Sequence, residues 1–252
     1  FAHIPLIHAA NGEKMSKRHG AIGISSYKDQ GFLPAAMRNY LLRLGWGYGN
    51  EEIISTQKAI ELFSLSNIGR APSRFNLDKL TNLNGHYIRL AEDEELVNLI
   101  APILANEHDI ILDDTSRSLL KKAMGNLKLR EKNIVDLAKS STFFVTKRPL
   151  TYNSKALEVL NEDNLLHIHP LRDGLALIDT WESEVLENYF RSYVASSKPP
   201  CKLGTVAQPI RVALSGATIS PPIFEVMNIL GKDETLGRID DFLLFTNNKN
   251  TE

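Results

Sequence analysis

From Glu94 to the end of the sequence, the apolar residues fall almost everywhere at helical spacing, and this pattern constrains the fold most. Leu96, Val97, Ile100, Ile103 and Leu104 make one stripe, with a kink expected at Pro102. Thr115 is expected to cap a helix that carries Leu119, Leu120 and Met124, and Ser154 another that runs through Leu160. Thr180 then opens the amphipathic run Trp181, Val185, Leu186, Tyr189, Tyr193 and Val194. Two helices close the chain: Pro222 to Leu230, ended by Gly231, and Glu234 to Phe245, before a polar tail. A stripe of this kind buries only against another helix, so this part is expected to be all-helical.

The first part of the chain reads differently. His3 to His8 is a short apolar strand, followed by a polar loop from Asn11 to Gly20, and Ile22-Gly23-Ile24 reads as a second short strand. From Leu33 the period becomes helical through Met37, Tyr40, Leu41 and Leu44, with Pro34 in the first turn and Gly45 just past the end. Ser55 is expected to cap a helix reaching Phe63, and Leu77 to Leu83 to form another short one. The expected fold is mainly α: a small α/β segment followed by helical domains. At 252 residues and 43% hydrophobic content, the chain can form one large or two to three small cores.

Several classes are excluded. The single Cys201 rules out an intramolecular disulfide framework and any multi-Cys zinc site. His3, His8, His86, His167 and His169 show no ligand spacing with Cys or carboxylates, so no metal site is assigned. No apolar run approaches the roughly 18 to 20 residues of a membrane span. Phe1-Ala2-His3-Ile4-Pro5 has neither an initiator Met nor a basic leader, so no signal peptide is expected. An opening inside an apolar stretch reads as a piece of a longer protein, and the expected setting is cytoplasmic. Net charge is −1, but its distribution is uneven. Nine basic residues between Arg117 and Arg148 face only Glu131 and Asp136, whereas residues 151–252 hold nine bases against fourteen acids. A basic middle suits phosphate contacts, although on charge alone a solvated helix face is the plainer account.

One loop carries chemistry. Gly12-Glu13-Lys14-Met15-Ser16-Lys17-Arg18-His19-Gly20 sets three cations and a hydroxyl between two glycines. Such a loop can close over a polyphosphate, where ammonium groups stabilise charge that grows in the transition state. Lys14-Met15-Ser16-Lys17 resembles the KMSK signature of class I aminoacyl-tRNA synthetases, and Lys17-Arg18-His19-Gly20 is similar to the glutamyl branch. The resemblance continues in order. It runs through Arg38 to Trp46, Phe75 to Leu80, Asn84 to Arg89, Gln208 to Gly216 and Ser220 to Glu225. It implies that Lys17 contacts the phosphates of ATP, which enters with Mg²⁺, while Lys14, Met15, Ser16 and Arg18 shape the loop. The nucleotide-binding fold with its glutamate pocket would precede Phe1, so this piece by itself is expected to be inactive.

The resemblance also implies a division of labour. Residues 1–93 would hold the end of the catalytic region and a stem-contact fold. Residues 94–149 and 150–252 would be two helical anticodon-binding domains. Arg130 would meet the third anticodon base: cytosine offers N3 and O2 as acceptors, guanidinium only donates, and guanine would oppose it with donors. Ser220, Pro221, Pro222 and Ile223 would cradle the other anticodon bases, with Ser220 also capping the helix behind it. Trp46 and Trp181 are expected in cores. The implied partner is tRNA(Glu), with tRNA(Gln) as a second candidate, for a monomer with no membrane contact. A stand-alone RNA-binding module and a helical protein scaffold are the competing readings.

Overall fold

The computed structural model describes residues 5–15 and 23–249. The chain is mainly helical, and it divides by packing into two compact units. The first holds Phe1–Ile103 with Lys128–Lys139, and the second Leu104–Leu127 with Ser140–Glu252.

The first unit contains the described sheet, in which β1 (Ile7–His8) pairs in parallel with β2 (Ser73–Arg74). Around it lie α1 (Ile24–Asp29), α2 (Pro34–Gly45), α3 (Thr56–Leu62) and α4 (Leu77–Leu90). Helix α2 packs on α4, and Tyr27, Phe32, Met37, Tyr40 and Leu80 form the core between them. The ring of Tyr40 meets Phe75 edge-on at 5.2 Å, and its hydroxyl donates to the carbonyl of Asn76 at 3.0 Å. Tyr40 therefore buries its ring and satisfies its polar end. Trp46 is likewise buried and donates through Nε1 to the Ser64 carbonyl.

Helix α5 (Asp93–His108) runs through Pro102, and α7 (Ile134–Val145) also continues from one unit into the other. The second unit further contains α6 (Asp114–Leu127), α8 (Ser154–Glu158), α9 (Glu162–Leu165) and α10 (Ile168–Ala176). It ends with α11 (Ser183–Ser196), α12 (Leu203–Ser215), α13 (Ile223–Leu230) and α14 (Lys232–Lys249). Helix α14 packs on α10 and α12, and α13 packs on α6 and α11. Arg238 of α14 lies fully inside this unit, where its guanidinium donates to Glu234 and to the carbonyls of Phe143, Leu214 and Thr146. Burial lowers its pKa from the ordinary arginine value, and hydrogen bonding to Glu234 opposes that shift.

Five local expectations are corrected. Ile24 begins a helix rather than extending a strand, because Gly23 in extended conformation serves as its N-cap. The helix from Leu77 runs on to Leu90 rather than stopping at Leu83. Asp113 and Asn153, not Thr115 and Ser154, supply the caps: Asp113 accepts from the Ser116 N–H at 2.7 Å and Asn153 from Ala156 at 2.7 Å. Helix α11 starts at Ser183 behind Glu182, with Trp181 outside it donating to the Met227 carbonyl, so Thr180 caps nothing. The expected cap at Ser55 is present, accepting from Lys58.

Candidate nucleic-acid interface

Lys14 and Met15 leave the sheet through a tight turn, while Ser16, Lys17 and Arg18 lie outside the described residues. His8 bridges Lys14 in antiparallel fashion, and the Met15 N–H donates to the Ile7 carbonyl at 3.1 Å. Inside the turn the Ala9 N–H donates to Glu13, and His8 Nδ1 donates to the Gly12 carbonyl at 2.7 Å. Gly12 adopts φ +86°, a conformation that disfavours a side chain. Residues 7–15 thus form a hydrogen-bonded base ahead of Ser16, with the Lys14 side chain exposed.

Beside this base the first unit holds a cavity of about 460 Å³ lined by Arg43, Arg74, Lys79, His86 and Arg89, with Glu52 as its acid. Arg43, Arg74, Lys79 and Arg89 make no ion pair among the described residues. Such a cluster of uncompensated cations focuses a positive potential that attracts phosphates. Composition gave no signal of it, because its members come from α2, β2 and α4 and no charge run marks them.

Arg130 is exposed in the turn that follows α6, rather than on a helix, and has no hydrogen bond or ion pair among the described residues. The turn around it is held at both ends within the first unit. On one side Lys128 Nζ donates to Asp93 Oδ1 at 2.6 Å and to the Ala91 carbonyl at 3.1 Å. On the other the Lys132 carbonyl accepts from Asn84 Nδ2 at 2.7 Å, and the Ile134 N–H donates to the Gly31 carbonyl at 3.0 Å. Gly31 has φ +82°, and a Cβ there would come within 2.7 Å of the Ile134 nitrogen, so the close approach requires glycine. Part of the basic run is thus structural: Lys128 and Arg148 are paired with carboxylates, whereas Arg130 is exposed.

In the second unit Ser220 does not cap α13. Its hydroxyl is buried, donates to the Pro221 carbonyl and accepts from Arg211 Nη1. Arg211 also donates to the Pro221 carbonyl at 2.9 Å, and Gln208 Nε2 to the Thr218 carbonyl at 3.0 Å. Pro222 is the N-cap of α13 rather than its first residue, and it makes no side-chain cap. Pro221 and Ile223 are buried, so the surface offered by this segment is Pro222 with Ile219, which is 74% exposed. Ile219 stands outside the quoted motifs, and Arg211, inside one of them, reaches this segment from the preceding helix. Among the described residues, no group of three or more His, Cys, Asp or Glu is placed to hold a metal ion. No described helix is long and apolar enough to cross a membrane.

Comparison with known proteins gives these features a family. Residues 95–243 match the family model described as anticodon binding domain, which includes Arg130 and Ser220 to Ile223. Residues 1–82, which include the loop, match the model described as tRNA synthetases class I (E and Q), catalytic domain. A glutamate–tRNA ligase 2 of Rhodospirillum rubrum is 50% identical over 241 residues, 96% of this chain and 51% of that protein. One of Paramagnetospirillum magneticum is 48% identical over 244 residues, with 96% and 51% covered. A glutamate tRNA ligase from Elizabethkingia meningosepticum, crystallised with its amino acid, superposes with a TM-score of 0.80 at 25% identity, covering 97% of this chain and 51% of that one. The chain spans about half the length of the curated relatives it matches. By these matches it belongs to the anticodon binding domain family, and its first third is similar to the class I (E and Q) synthetase catalytic domain.

Proposed function

We propose that the protein carrying this sequence attaches glutamate to tRNA(Glu), and that this stretch supplies the activating loop and the tRNA-reading surface. The reading rests on one observation above all: a catalytic-domain match and an anticodon-domain match follow one another along the chain. Residues 1–93 contribute the loop and the stem-contact fold, and residues 94–149 and 150–252 the two anticodon-binding domains. These are divisions of function, distinct from the packing units.

A glutamate carboxylate oxygen attacks the α-phosphorus of ATP, the bond to the β-phosphate breaks, and pyrophosphate leaves. The Lys17 ammonium stabilises charge on the transferred phosphoryl and on the leaving group, while Lys14, Met15, Ser16 and Arg18 form the loop around it. ATP arrives with Mg²⁺ as a substrate. A terminal ribose hydroxyl of the tRNA then attacks the glutamyl carbonyl and AMP departs. The cations of the first-unit cavity hold RNA phosphates. The Arg130 donors face N3 and O2 of a third-position cytosine, and Pro222 and Ile219, beside Ser220, Pro221 and Ile223, offer splayed bases an apolar surface. The partner is tRNA(Glu), with tRNA(Gln) a second candidate, and the enzyme acts as a cytoplasmic monomer.

The test is charging of tRNA(Glu) by the complete protein with glutamate, ATP and Mg²⁺. Lys17→Ala should lower tRNA-dependent ATP–pyrophosphate exchange by about 10²-fold or more, as expected for removal of one preorganised charge stabiliser. Its tRNA affinity should change little. Binding of tRNA without any charging by the parent protein would overturn the reading in favour of an RNA-binding module.

A further inference from the structure

We propose that Lys128 and Asn84 are positioning residues for anticodon discrimination, because together they hold the turn that presents Arg130. The proposal rests on reading Arg130 as the contact to the third anticodon base.

The geometry has three parts. Lys128 keeps 20% of its side-chain surface exposed, and its ammonium is engaged by Asp93 Oδ1 at 2.6 Å and the Ala91 carbonyl at 3.1 Å. It is therefore spent on the protein and not offered to a phosphate. At the other end Asn84, fully buried, divides its amide between two carbonyls, those of Lys132 at 2.7 Å and Gly31 at 3.2 Å. Its oxygen accepts the Leu33 N–H at 2.8 Å, so the anchor is itself fixed to the start of α2. Lys132 Nζ adds a bond to Asn82 at 2.7 Å, and Asn133 accepts from the Asp136 N–H to open α7. Between these anchors only Leu129 and Arg130 stand exposed in succession, with Leu129 64% exposed.

Rigidity matters here because specificity is a difference between two affinities. Cytosine accepts from a guanidinium, whereas guanine presents donors of its own at the same place. A guanidinium on a loose turn can withdraw from the guanine edge, so the wrong base is penalised little. One carried on a fixed backbone cannot withdraw, and the unmatched donors stay in contact. Loosening the turn should therefore erode discrimination more than affinity for the correct tRNA. A second effect runs the same way: an already ordered turn loses less conformational freedom on binding.

The experiment measures Kd for tRNA(Glu) and for the same tRNA with its third anticodon base changed from C to G, using the complete protein at one salt concentration. Lys128→Met keeps the apolar stem and removes the ammonium. It should lower the C-over-G ratio by about three- to ten-fold, as expected for coupled neighbours. Lys128→Arg should restore the ratio, and the salt dependence should stay that of the parent. Asp93→Asn breaks the same contact from the other side and should act alike, which covers poor folding of the first variant. Arg130→Gln is run in parallel and should lower the ratio by about five- to a hundred-fold. Equal losses on both tRNAs, with a salt slope smaller by about one, would make Lys128 a phosphate contact and overturn the proposal. An unchanged ratio in Lys128→Met beside a lowered one in Arg130→Gln would overturn the positioning role and leave the Arg130 reading standing. Unchanged ratios in both would overturn both.

Discussion

The side-chain oxygen of Asn84 in α4 accepts the backbone N–H of Leu33, 51 residues earlier, over 2.8 Å at a fully buried position. The same amide donates to the carbonyls of Gly31 and Lys132. Truncation would leave a buried donor and two acceptors without this partner. An unsatisfied buried group costs about 1–3 kcal/mol, so Asn84→Ala should destabilise the protein by about 3 kcal/mol in denaturant unfolding. A loss below about 1 kcal/mol would mean that water or neighbouring groups replace the amide easily.

Tyr152 gives a pH signature. Its hydroxyl is buried without a hydrogen-bond partner, and its pKa is pushed up to about 12 by burial and by the Asp241 carboxylate, with Arg238 opposing. The unfolded phenol titrates near its ordinary value of about 10. Below that pH both states hold the proton and the contribution to stability is fully present. As pH rises from about 10 to about 12, the unfolded state ionises first and stability falls. Tyr152→Phe should remove this part of the alkaline loss, about 1–2 kcal/mol relative to the parent, and should be neutral or slightly stabilising at pH 7. Unfolding midpoints of parent and variant at pH 8, 10 and 11.5 check it. Parallel curves would contradict the assignment.

The segment before α13 separates a hydroxyl from a surface. Ser220 points inward to Arg211 and the Pro221 carbonyl, whereas Pro222 is exposed. Ser220→Ala should therefore cost about 1 kcal/mol of stability and leave tRNA affinity nearly unchanged. Arg211→Met removes the donor that holds two carbonyls of the segment and should weaken tRNA binding several-fold. If Ser220→Ala matched Arg211→Met in tRNA binding, the hydroxyl would have a direct role in contacting the RNA.

Local rules gave the mainly helical fold and much of its detail, and their failures have identifiable causes. Ser55 was legible as a cap because its hydroxyl is the nearest acceptor ahead of its helix, whereas Thr115 and Ser154 each follow a stronger acceptor, Asp113 and Asn153. Helix α4 passes through Gly85. A Cβ there would lie 3.1 Å from the Lys132 side chain, so the glycine admits a crossing segment rather than ending a helix. The Lys14–Lys17 motif marked the loop, and Arg130 entered only through what the family resemblance implies. The clamp on Arg130 was not legible, because Lys128 meets residues 35 and 37 positions earlier and Asn84 meets Lys132 48 positions on. No periodicity records such pairings.

One comparison tests most directly the proposal that this protein reads the third anticodon base. Affinity of the complete protein is measured for tRNA(Glu) and for a copy differing only by C to G at the third anticodon base, at equal salt. The account predicts weaker binding of the altered tRNA by about 1–3 kcal/mol, about five- to a hundred-fold, the range for one mismatched base contact. Equal affinity for the two would contradict it and leave the chain an RNA-binding surface that does not read this base.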